Sequence, residues 1–204
     1  MIFRFILIGL MLDKTVLASA SWECVDPYWL EPPKMEDDIF VGSIGSECNL
    51  YGSQSDGLET VAQFIRHDIE ASGKYTLHSG PISQQREFKG ALYDFTDVRN
   101  EDGESIKIRQ NAFVGTDRSK KFIYTTESTK IEASGIAAYL QKVSFSTSIE
   151  KKTNFCVAHF ENVVRIERPW FAIGFVFRSI SKDKTRAKFV LARDKLLEYL
   201  APHF

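Results

Sequence analysis

The sequence predicts an α+β fold in which an antiparallel sheet of about six strands grips a long C-terminal helix, with one early helix after the first strand. Three observations predict it. Apolar residues recur with a period near 2 for about a hundred residues in the middle of the chain. A period of 3.6 stands on either side of that run. The links between alternating segments are short and rich in turn formers. Short links demand antiparallel neighbours, because a parallel return needs a crossover of a dozen or more residues.

Residues 1–20, MIFRFILIGLMLDKTVLASA, read as a signal peptide. Arg4 precedes an apolar run from Phe5 to Leu12, and Ala18-Ser19-Ala20 supplies the small-x-small pattern of a cleavage site. The run is too short for a stable bilayer anchor, which takes about 20 apolar residues. No later segment reaches that length, so the expectation is an exported soluble protein, periplasmic or secreted, with no membrane span after cleavage. Residues 21–38 hold three of the six prolines and two of the three tryptophans, and read as an irregular lead-in. Trp22, Tyr28 and Trp29 are expected to lie over the domain as a cover. The domain proper spans 39–204.

Ile39-Phe40-Val41 and Ile44 predict the first strand, punctuated by Gly42 and Gly45. Helical spacing follows over Gly57–Ser72, where Leu58, Val61, Ala62, Ile65 and Ile69 share one face. Ser55 or Asp56 can cap that helix and Gly73 can stop it. The alternating run then takes in Phe88–Phe95, Ile106–Val114, Lys121–Glu132, Tyr139–Ile149 and Cys156–Ile166. Asn100–Gly103, Thr116–Ser119 and Lys151–Asn154 read as the turns between them. Strands apolar on one side and charged on the other need a cover on the apolar side only. That cover is predicted at the end of the chain. Trp170–Ile180 is strongly apolar, and from Thr185 a helical stripe of Phe189, Leu196 and Leu200 runs to Pro202. Arg186, Lys188, Arg193 and Lys195 are expected on its wet side.

Composition excludes several classes. With 26 Lys+Arg against 27 Asp+Glu and 44% hydrophobic residues, the chain is neither disordered nor a basic nucleic-acid binder. Of the three cysteines, Cys24 and Cys48 are the candidate disulfide pair, and Cys156 falls in a strand pattern as a small core residue. The odd count leaves the pairing open. If it forms, the Cys24–Cys48 link is worth about 3 kcal/mol in the chain-entropy model. No cysteine or histidine spacing suits a metal, and Asp94, Asp97, Glu101, Asp102 and Glu104 do not match a calcium loop. Neither a nucleophile elbow nor a P-loop, zincin or dinucleotide motif is present. His159 and Glu161 share a strand face, but Val157 and Val163 beside them give no hint of a cleft, so an outer surface pair is expected.

An opening strand, one early helix, a run of antiparallel strands and a C-terminal helix together resemble the START-like, helix-grip superfamily. The resemblance covers about residues 39–201 and is best in RIERPWFAIGFVFRSISKDKTRAKFVLARDKLLEYLAP. It rests on patterns of hydrophobicity. The superfamily includes lipid-transfer domains, plant allergen-type ligand carriers and polyketide cyclase-like proteins, so the resemblance implies a cavity between sheet and helix. A second resemblance, over a third of the chain, joins Trp29, Pro32-Pro33 and Val41–Gly45 to small bacterial envelope and flagellar-ring accessory proteins.

Within such a cavity the informative residues are polar ones on apolar faces. Gln110 interrupts Ile106–Val114, Gln141 lies between Tyr139 and Val143, and Asn162 between Phe160 and Val164. A buried amide without a partner costs roughly 1–3 kcal/mol, so each requires backbone, water or ligand. Tyr93, Tyr124, Tyr139, Phe145 and Phe160 would form the walls around a mostly apolar ligand. The expected function is therefore non-catalytic binding of a lipid or other hydrophobic small molecule, with no cofactor, no metal and no nucleic acid. The alternative is a cell-envelope interaction module with a solid core. An enzyme is the third reading, since no ionisable constellation can be placed inside.

Overall fold

The computed structural model describes residues 22–51, 57–77, 88–101, 104–134 and 138–204. The signal sequence, the capping residues Ser55 and Asp56, and Asp102-Gly103 lie outside the described residues. Nine strands and two helices follow in the order β1 (Trp22–Cys24), β2 (Tyr28–Glu36), β3 (Ile39–Tyr51), α1 (Leu58–Ala71), β4 (Thr76–Leu77), β5 (Phe88–Glu101), β6 (Glu104–Asp117), β7 (Phe122–Ala133), β8 (Leu140–Lys151), β9 (Phe155–Glu167) and α2 (Gly174–Leu200). A short 3-10 turn, Ala201–His203, closes the chain.

All strands belong to one antiparallel sheet ordered β1-β3-β9-β8-β7-β6-β5-β4, with β2 pairing beside β1 on the same edge of β3. The chain thus meanders from β5 to β9, and the last strand closes back on β3. Both helices lie on one side of this sheet. α1 packs over β6, β7 and β8, and α2 over β2, β3 and β9. The α+β helix-grip architecture is therefore present, with nine strands where about six were expected.

The three extra strands have identifiable causes. Where an irregular lead-in over 21–38 was expected, Trp22–Cys24 and Tyr28–Glu36 are strands, because β1 and β2 occupy an edge where a missing N–H does not break a ladder. Pro32 and Pro33 lie where the register of β2 slips between Glu31 and Lys34. Asp37, at φ 53°, turns β2 into β3. The two-residue β4 pairs only with the end of β5. The lead-in aromatics do act as cover in part. Trp22 meets Phe204 edge-on at 5.5 Å and Trp29 meets Phe40 at 6.4 Å, while Tyr28 is exposed.

Alternation places the even-numbered residues of β3, β6 and β9 inward. Ile44, Cys48 and Leu50, then Ile108, Ala112 and Val114, then Cys156, Ala158 and Phe160 are all buried. Charged residues line the outer face, where Lys107–Glu132, Lys121–Glu150 and Lys142–Glu127 pair across strands. His159 and Glu161 lie on that face too. They do not act as a pair: His159 Nδ1 faces Glu47 at 3.3 Å and Glu161 accepts from Ser43 Oγ at 3.0 Å.

α1 buries the five residues its period predicts. α2 departs from expectation at its start and on one side. It begins at Gly174, eleven residues before Thr185, because Phe175, Val176 and Ile180 put apolar residues on several sides and erase the amphipathic period. Arg193 is buried and not on the wet side: its guanidinium donates to Ser46 Oγ at 2.8 Å, to the Val25 carbonyl at 3.3 Å and to Asp194 at 2.8 Å. The Cys24 and Cys48 sulfurs are bonded and latch β1 to β3, and Cys156 is buried.

Candidate functional site

The interior between sheet and helices divides into rows of cross-strand partners. One row reads Ile44, Asn162, Phe145, Thr126, Ala112 and Tyr93 across β3, β9, β8, β7, β6 and β5. Phe145 stacks obliquely on Phe160 at 6.2 Å and on Phe189 of α2 at 6.4 Å, tying the sheet to the helix. From this row toward Leu50, Ile149 and Leu200 the interior is a continuous apolar core.

The next row, away from that core, sets two polar residues, Gln110 and Ser128, in line with Phe95, Val143 and Val164. Gln110 of β6 faces Phe95 of β5 and Ser128 of β7, and Ser128 Oγ accepts the Val143 N–H at 3.0 Å. Gln110 is 3% exposed, yet its Nε2 has no hydrogen-bond partner. The same holds for Asn162 Oδ1 in the neighbouring row. A donor on β6 and an acceptor on β9 are thus both desolvated and unpaired on the inward face, on strands three spacings or about 14 Å apart across the sheet. Of the remaining orphaned atoms among the described residues, Trp22 Nε1 lies on the edge strand and Arg66 Nε on α1.

α2 supplies the facing wall, and its chemistry changes along its length. Between Phe189 and Leu200 it buries Phe189, Ala192, Leu196, Leu197 and Leu200. Between Gly174 and Lys188 it buries only Ser181 and Thr185. Arg178, which donates to the Pro33 carbonyl at 2.6 Å, and Arg193, which bonds Ser46, set this polar half over β3 between Gly42 and Ser46. Small hydroxyl side chains therefore face the rows that hold Asn162 and Val164.

A second polar group closes the other side. Tyr93 is buried and donates to Glu70 at 2.7 Å, and Tyr199 donates to Asp68 at 2.8 Å. Tyr75 packs on Phe95 at 4.8 Å, above the residue paired with Gln110. Burial raises the pKa of Tyr75, Tyr93, Tyr124 and Tyr199, with the nearby Asp97, Glu70 and Asp68 carboxylates adding to it for three of them. These phenols remain protonated donors and are not bases.

The predicted residues separate into two sets. Gln110, Asn162, Tyr93, Tyr124, Phe145 and Phe160 all face the interior. Gln141 does not. A register shift between Leu140 and Lys142 turns it outward, where its Nε2 donates to Glu167 at 3.1 Å. Tyr139 is only half-buried and precedes β8 in a short turn. Sequence reasoning missed Ser128, Ser181, Thr185 and Tyr75. Ser181 and Thr185 continue the inward stripe of Phe189 backward at a spacing of four, a signal hidden by the outward apolar residues between them. No group of three His, Cys, Asp or Glu side chains that could hold a metal ion occurs among the described residues.

No family model matches the sequence, and no curated protein matches it. Among solved structures the chain is similar to Ara h 8.0201, with 16% identity, 78% of this chain and 97% of that chain covered, and a TM-score of 0.38. It is also similar to truncated norcoclaurine synthase from Thalictrum flavum, at 11% identity over 66% and 81% of the two chains and a TM-score of 0.36. Human STARD10 aligns at 12% identity over 92% and 80%, with a TM-score of 0.31.

Proposed function

We propose that this protein is exported and binds a hydrophobic small molecule or lipid, without catalysis, between the sheet and the N-terminal half of α2. One observation carries the reading: Gln110 Nε2 and Asn162 Oδ1 are buried, inward-facing and unpartnered. Leaving both bare costs roughly 1–3 kcal/mol each, a cost that polar groups at separate points of a bound ligand remove. An acceptor on the ligand meets Gln110 and a donor meets Asn162. Phe95, Phe145 and Phe160 then flank its apolar part. Export is supported by the leader-like pattern of residues 1–20 and by the Cys24–Cys48 disulfide, a bond at home in an oxidising compartment.

Native mass spectrometry of the protein recovered from the envelope fraction of its own cells tests this. The expected result is a native mass above that of the chain by a lipid-sized increment, lost on denaturation. A bare native mass, together with no uptake of a fluorescent fatty acid, overturns the reading.

A further inference from the structure

Six large apolar side chains crowd the surface where the last strand passes into α2. Trp170, Phe171, Ile173 and Phe175 are 87%, 62%, 63% and 77% exposed, and Val176 and Ile180 are 39% and 47% exposed. Single exposed apolar residues are ordinary, but a contiguous group of this kind marks a surface that meets something. The segment is not a frayed tail. Arg168 bonds Asp38 and donates to the Ala172 carbonyl at 2.6 Å, and Ala172 N–H donates to Pro169. Phe177 N–H then bonds Ile173 to open the helix. The aromatic tip is held in place before any partner arrives.

Charge identifies the partner. Residues 168–188 contain six cations, of which Arg168 is paired with Asp38, and one acid, Asp183, within a chain whose net charge is −1. Arg178, one turn beyond the aromatics, is satisfied by the Pro33 carbonyl and keeps its positive charge uncompensated by that contact. A helix start carrying Trp, Phe and Ile beside a basic stretch has the composition of an interfacial segment, which seats its apolar side chains among acyl chains and its cations among anionic head groups.

We infer that Trp170–Ile180 is a docking surface for an anionic lipid bilayer. No described helix is long and apolar enough to cross a membrane, so the contact is peripheral. The inference does not rest on an interior ligand, because the insertion is read at Trp170 itself.

The test follows tryptophan emission of the full chain as vesicles of phosphatidylcholine, alone or mixed with phosphatidylglycerol, are added. Docking gives a blue shift and quenching by acyl-brominated lipid with the mixed vesicles, weakening as salt rises. Trp170→Phe removes the quenched component while Trp22 and Trp29 still emit. Phe171→Gln with Phe175→Gln lowers the partition coefficient about tenfold, and far-UV circular dichroism confirms that these exposed changes leave the fold intact. Unchanged Trp170 emission, equal response to neutral vesicles, or undiminished partitioning of the double variant overturns the inference. A blue shift that instead grows with protein concentration in the absence of vesicles assigns the surface to a second copy of the chain and overturns it too.

Discussion

Gln110 shows what one buried amide does to a small domain. Its Nε2 is desolvated between Phe95 and Ser128 and unpartnered, so it opposes folding as long as it stays unpaired. Replacing it with Met, of similar length, is expected to stabilise the ligand-free protein by about 1 kcal/mol and to lower retention of a bound lipid. Urea unfolding and native mass spectra read the two effects separately; a destabilised Q110M would show that the amide is satisfied in the folded state. His203 carries a pH effect. It lies 4.4 Å from the Phe64 ring, and burial holds its pKa below the ordinary value despite the nearby Asp68 carboxylate. As pH falls the unfolded chain takes up this proton first. The stability is thus whole above about pH 6.5 and is lost as pH drops toward the folded pKa. A smaller loss of urea midpoint between about pH 7 and 5 is expected in His203→Gln than in the parent chain. Gln110 and Asn162 were legible because strand parity alone decides which way they face. Gln141 was not, because a bulge at Leu140–Lys142 reverses parity and leaves no mark in composition. Nor was Arg193, whose burial depends on partners from β3 and the chain before β2 that lie 147 and 168 residues away.

Among the elements, β5 and β6 pair with Gly90 directly facing Gly115. A Cβ on Gly115 would enter the space of the Lys89 carbonyl and of Gly90 itself, with the Phe113 ring lying over the pair. Both neighbours are backbone and cannot swing aside. Gly115→Ala is therefore expected to cost about 1–3 kcal/mol, measured as a lower urea midpoint with an unchanged slope. β1 is held differently. Only three residue pairs join it to β3, and the Cys24–Cys48 bond closes the intervening loop. Replacing both cysteines with serine is expected to cost about 3 kcal/mol, and a reductant should bring the parent protein to the same midpoint while leaving the double variant unmoved. The elements legible in advance were those with a single buried face, α1 and the strands from β5 to β9. β2 was hidden by prolines that an edge strand tolerates. The first turns of α2 were hidden because their large apolar residues Phe175, Val176 and Ile180 face solvent while the residues they bury, Ser181 and Thr185, are polar, the reverse of an amphipathic pattern.

Across the whole molecule, the interior is built unevenly, and this unevenness links fold to function. The half bounded by α1, by Phe189–Leu200 and by the strand ends near Leu50 and Ile149 is continuous apolar core. The other half holds Gln110 on β6, Ser128 on β7 and Asn162 on β9, and the first half of α2, which packs over β2, β3 and β9, buries Ser181 and Thr185 and no large apolar side chain. That α2 would lie across an antiparallel sheet was readable from hydrophobic period. The placing of its polar half over one end of the sheet was not, since it depends on the Arg178–Pro33 and Arg193–Ser46 contacts, which no local pattern encodes. Burial of apolar area sets how often a segment opens, so residues 174–188 and the strand positions around Gln110 should exchange amide hydrogens through sub-global openings. The amides of residues 189–200 and of β8 near Ile149 should exchange only through global unfolding. A bound fatty acid is expected to slow exchange in the first set far more than in the second, because it adds apolar contact where the chain supplies little. Hydrogen exchange with mass spectrometry distinguishes the outcomes. Equal slowing of both sets would mean that the ligand merely stabilises the fold as a whole, and slowing confined to 189–200 would place it in the dense half, against the reading proposed here.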